Sequence, residues 1–161
     1  MSNLNLIGLA SNISRGYEIA RAGKHTIKIV LPKNSHIPLQ DISIFSEFYG
    51  IDTAPINPDI IMELAYDPAD LVRILNDNRF ETLEDINKRA DLVLSTHDNI
   101  DTNLCKSSKA LLKTACERLE FGVNDVIKIL AVSETIAKLS KSETIKVEHI
   151  AEAIQYRSVQ Y

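Results

Sequence analysis

Glu134-Thr-Ile-Ala-Lys-Leu139, a polar turn over Ser140-Lys-Ser-Glu-Thr144, and Ile145-Lys-Val-Glu-His-Ile-Ala-Glu-Ala-Ile-Gln-Tyr-Arg157 decide how this chain folds. Both apolar runs carry helical spacing, and the turn between them separates two amphipathic helices. Outward from this stretch, the pattern is helical from Leu104 almost to the end, broken only at Phe121-Gly122 and at Ser140–Thr144. Leu111, Leu112, Ala115 and Leu119 form one stripe, Val126, Ile129, Leu130, Ile136 and Leu139 a second, and Ile150, Ala153 and Ile154 a third. Three helices with such stripes bury them against one another, which predicts a helical bundle.

The earlier half is mixed. Ser14–Ala22 has helical spacing and ends at Gly23, a natural C-cap; His25–Leu31 reads as a strand stopped by Pro32. After a polar connector containing Pro38, Asp41–Tyr49 reads as a short helix closed by Gly50, and Ile51–Pro58 as a loop. Asp59–Ala65 is a second strand. Asp67-Pro-Ala-Asp70 opens a helix ending near Asn76, with Asp67 capping, Pro68 in the first turn and Asp70 at the positive end. Thr82-Leu-Glu-Asp85 opens another, running to about Leu94, with Asp85 in place of the usual Glu or Gln of a capping box. There is no internal repeat or low-complexity tract.

At 161 residues the chain suits one domain, or a compact α/β part with a helical appendage. No apolar run approaches the roughly 20 residues that span a bilayer. The N-terminus has no basic region before its apolar residues, so the expectation is a cytoplasmic protein with no membrane association. Cys105 and Cys116 lie eleven apart in a helical segment, too great a rise for a disulfide between them, and read as buried thiols. The net charge of −4 weighs against a grip on nucleic acid by bulk electrostatics. Arg15, Arg21, Lys24 and Lys28 form one local basic cluster and Lys138, Lys141 and Lys146 another; without interleaved aromatics both read as solvated surface. His25, His36, His97 and His149 show no metal-ligand spacing, and no nucleophile elbow or triad is present. The acidic pairs Glu84-Asp85 and Glu148/Glu152 read as solvated helix faces, and Tyr156 and Tyr161 as cover for the helical core or an interface.

Glu134–Leu139 and Ile145–Arg157 resemble the closing helices of the magnesium-chelatase-like AAA+ ATPases, in particular the competence-associated bacterial branch. The match at Glu148-His-Ile-Ala-Glu-Ala-Ile-Gln-Tyr-Arg157 is the most specific part. Upstream, Glu63–Leu71 and Glu81–Arg89 are similar to the strand, short helix and helix that lead into the family's helical lid, and Gly16–His25 to the element before its nucleotide loop. The resemblance implies an α-rich α/β fold: a small, truncated AAA+-like parallel sheet with flanking helices in residues 1–80, and a C-terminal helical lid bundle in residues 81–161. His149, inside the matched helix, is expected to pack or cap.

The same resemblance implies that the machinery of ATP hydrolysis is degenerate. A phosphate-binding loop needs glycines so that backbone amides close on the phosphates, a lysine for their charge, and a hydroxyl for Mg²⁺. The corresponding stretch here is Leu31, Pro32, Lys33, Asn34, Ser35, His36, Ile37 and Pro38. Leu31 and His36 stand at the glycine positions, Ile37 at the lysine and Pro38 at the hydroxyl. Lys33 lies in a loop with two prolines and reads as a solvated lysine. No apolar strand ends in Asp-Glu, and only about twenty residues separate the loop from the next matched strand. The family's subunit-bridging arginine falls near Asn57 and its lid arginine on Asn124; Lys128 keeps a charge at a further arginine position and reads as a helix-surface lysine. Loss of one such arginine lowers phosphoryl transfer by orders of magnitude.

The expectation is therefore a protein that is not an enzyme, has no catalytic residue, cofactor or metal, and acts by self-association or by docking onto a full-length AAA+ partner. Two alternatives stand beside it. One is an atypical ATP-binding protein in which Lys33, Asn34 and Ser35 make the phosphate site; the other is a DNA-processing accessory factor.

Overall fold

The computed structural model describes residues 11–30, 57–63, 83–96 and 99–158. Within them lie five helices and two strands: α1 (Ser11–Gly23), β1 (Ile27–Val30), β2 (Ile60–Glu63), α2 (Leu83–Ser95), α3 (Lys106–Leu119), α4 (Val123–Leu139) and α5 (Val147–Gln155). This is an α-rich α/β fold. The expected nucleotide-loop stretch Leu31–Pro38, the helices expected at Asp41–Tyr49 and from Asp67, most of the Ile51–Pro58 loop, the Thr82 cap and Tyr161 lie outside the described residues.

The strands pair directly and in parallel, Ile27 opposite Ile60 and Val30 opposite Glu63. Their β-branched residues suit a sheet covered by helices, and Ile27, Ile60, Ile61 and Met62 are all buried. On its side away from β1, β2 receives the lid. The Ile61 amide donates to the Tyr156 carbonyl at 2.8 Å, so the end of α5 occupies ladder positions that an edge strand leaves open.

One apolar core joins the two halves. Ile19 of α1, Ile60 of β2, Ile86 of α2, Ile129 and Ile136 of α4 and Ile150 of α5 are all fully buried in it. α4 runs through the centre, against α1 and α5. Its buried face is wider than its aliphatic stripe, because Val132, Ser133, Thr135 and Ala137 are also inside. The two hydroxyls enter by bonding the preceding turn: Ser133 Oγ donates to the Ile129 carbonyl at 2.6 Å and Thr135 Oγ1 to the Ala131 carbonyl at 3.3 Å. Leu119, expected on a core stripe, is 39% exposed at the end of α3.

The two glycines of α1 serve close approach. A Cβ on Gly16 would stand 1.8 Å from Met62 Sδ, so the glycine lets β2 pack on the helix despite costing a helix interior about 1 kcal/mol relative to Ala. Gly23 is helical, and the left-handed position that ends α1 falls on Lys24, at φ 56°. The cap thus falls one residue after the expected Gly23. A Cβ on Gly23 would meet His25 Nε2 at 2.2 Å and Thr135 Oγ1 at 2.3 Å.

Helix starts also depart from expectation. Cys105 is the N-cap of α3, its Sγ accepting from the Ser108 amide at 3.4 Å, so this thiol is exposed and not buried. Hydrogen bonds from the Ser107 and Ser108 hydroxyls and the Ser108 amide lower its pKa to about 7. Cys116 is half-buried; both thiols are free. At the start of α5 the Lys146 amide donates to His149 Nδ1 at 3.1 Å, so His149 is a buried capping residue.

Candidate functional site

The helical lid meets the entry to β2 in a compact polar junction. Lys128, one turn into α4, directs its ammonium at the Asn57 carbonyl, at the Pro58 carbonyl (3.1 Å) and at Asp59 Oδ1 (3.4 Å). Arg157, just past α5, donates through Nη1 to the Pro58 carbonyl at 2.5 Å and through Nη2 to Asp125 Oδ1. Two cations, one on α4 and one just past α5, thus hold one three-residue segment. Asn57 adopts the left-handed conformation, φ 54°, which asparagine tolerates better than most residues. Asn57 and Asn124 are exposed, whereas the Lys128 and Arg157 side chains are only 15% and 10% exposed.

Both carboxylates are fixed from a second side. Asp59 Oδ2 accepts from the Thr26 amide at 2.9 Å and the Thr26 hydroxyl at 3.0 Å, which ties the segment to the start of β1. Burial raises its pKa, but the Thr26 bonds and the Lys128 ammonium outweigh that and hold it below the usual carboxylate range. Asp125 Oδ2 accepts from the Gly122 amide at 3.0 Å at the start of α4. Its burial is likewise outweighed, here by Arg157 and the Gly122 amide, and its pKa is lowered. The Nε of Arg157 is buried with no hydrogen-bond partner among the described residues.

In chemical terms this is a clasp. An anion site at a helix N-terminus needs free amides and unengaged cations. Here a carboxylate, Asp125, already stands at the start of α4 on the Gly122 amide, and backbone carbonyls and carboxylates face both cations. Lys128 is therefore not the surface lysine its sequence position suggested. What hid it was its partner: the Asn57–Pro58 carbonyls are backbone groups some 70 residues away, and carbonyls leave no mark in residue identity. The proline and the turn-forming Asn57-Pro58-Asp59 were the only available signal.

A second polar cluster binds α1 to α2 and α5. Glu18, only 8% exposed, accepts from Arg89 Nε at 2.6 Å and Arg15 Nη1 at 3.0 Å, and Arg15 Nε donates to Glu152 at 2.9 Å. The Tyr156 hydroxyl donates to the same Glu152 carboxylate at 3.3 Å; burial, then Glu152, raises its pKa. Glu152 is thus paired between elements and does not form the solvated face expected of it. The first basic cluster is likewise not simple surface, since Arg15 is in this network and Arg21 Nε donates to Asp91 at 2.9 Å. His25 joins neither cluster: its Nε2 lies 2.8 Å from Thr135 Oγ1, and burial lowers its pKa.

Among the described residues no helix is long and apolar enough to cross a membrane. Neither the curated proteins nor the solved structures contain a match to the chain. Residues 73–157, just over half of the chain, match the family described as "Magnesium chelatase, subunit ChlI C-terminal". That segment contains α2–α5 and both cations of the junction, so the clasp is built largely from the matched region. The chain belongs to the magnesium chelatase subunit ChlI C-terminal family.

Proposed function

We propose that this chain is a non-catalytic member of the magnesium-chelatase type, with an α/β remnant in residues 1–80 and a helical lid in residues 81–161. It works through protein contact, by self-association or by docking onto a full-length ATPase. The observation that carries the reading is the clasp. Lys128 and Arg157, the two cations that the matched helical region turns toward β2, are engaged with Asn57, Pro58, Asp59 and Asp125. Asn57 and Asn124 stand where the resemblance places arginines, and Leu31–Pro38 offers no glycine for an amide cradle. A lid held by the protein's own oxygens has a fixed orientation without ligand, which suits a contact surface.

Titration calorimetry with ATP and Mg²⁺, together with sedimentation over a range of concentrations, tests this. The expected result is no binding heat, no ATP-dependent rise in melting temperature, and mass-action association with itself or with a purified full-length relative. ATP binding by a strict monomer would overturn it.

A further inference from the structure

We draw no further inference here: the strongest candidate, the exposed apolar face of Leu119, Val123 and Ile127 where α3 turns into α4, carries nothing because nothing in the structure shows what covers it.

Discussion

Two of the contacts that join α1 and β2 to the C-terminal helices differ in kind. On one side α1 lies against α2 and α4 through apolar surface, with Ile19, Ile86 and Ile129 all at 0% exposure. On the other, Lys128 and Arg157 hold the Asn57–Asp59 segment by hydrogen bonds and charge. Apolar burial is non-directional and scales with area, so the first contact supplies most of the cohesion. The clasp is directional and loses desolvation energy for what it gains, so its main effect is to set where the lid sits.

Truncating the apolar side should therefore produce the largest effect. Ile129→Ala removes a fully buried side chain at the centre of α4 and should lower unfolding free energy by about 2–5 kcal/mol, measured by urea denaturation. The whole chain should lose stability together, since residues on both sides of α4 belong to one core. A loss under 1 kcal/mol would mean that α4 is less central than its packing indicates.

The clasp should break differently. Arg157→Met takes one of two donors from the Pro58 carbonyl and leaves Asp125 with only the Gly122 amide, and should cost about 2–3 kcal/mol, a range set by hydrogen bonds to charged groups. Hydrogen exchange separates this from a general loss. The Ile61 amide, bonded to the Tyr156 carbonyl, reports whether the end of α5 stays on β2. In Arg157→Met it should exchange faster by a larger factor than the Ile150 amide inside α5, because the lid edge opens without global unfolding. Equal acceleration at both would merge the two contacts into one cooperative unit and remove the distinction drawn here.

The apolar contact was largely legible in the sequence, and the clasp was not. Helical spacing placed α3, α4 and α5 between the correct breaks, and Ile129, Ile136 and Ile150 fell on the predicted stripes because aliphatic periodicity records burial directly. The strands expected at His25–Leu31 and Asp59–Ala65 are also present, described as Ile27–Val30 and Ile60–Glu63, but their direct pairing is a contact across some 30 residues that neither segment's pattern records. Ser133 and Thr135 escaped that reading because each is buried by satisfying its own hydroxyl on the preceding turn, whereas His149, expected to pack or cap, does both. Lys128 escaped because it pairs with backbone. Residue type alone cannot distinguish a lysine in water from one that grips two carbonyls.

Gly23 sharpens the comparison at smaller scale, since it lies between the two contacts. Gly23→Ala puts a methyl group where His25 Nε2 and Thr135 Oγ1 meet, so the hydrogen bond between β1's approach and α4 must open. The expected cost is about 1–2 kcal/mol, the sum of a lost hydrogen bond and modest overpacking, read from the thermal midpoint. Gly16→Ala presses instead on the Met62 thioether, a flexible group, and should be milder than its closer approach suggests. If Gly16→Ala proves the worse, then Met62 is held more rigidly than His25.

Acid separates the regions with the smallest effect. Burial lowers the pKa of His25 in the fold, so below the unfolded value of about 6.5 the unfolded chain takes up a proton first, and stability falls until folded His25 also protonates. His149 follows the same sign, since burial lowers its pKa too. Asp59 and Asp125 act lower on the scale. Their folded pKa values lie below the unfolded carboxylate value of about 3.9, so their contribution is present above that value and is lost as pH falls through the folded pKa values. Among the described residues, stability should thus decline in an upper window that includes the two histidines and a lower one that includes the clasp. His25→Gln, whose amide can still donate to Thr135, should shrink the upper decline and leave the lower intact; Asp59→Asn should shrink the lower decline and, by removing a charge that favours protonated His25, deepen the upper. An upper window in which stability rises as pH falls would mean that Asp59 and Glu134, the acids whose fields oppose burial at His25, dominate its protonation.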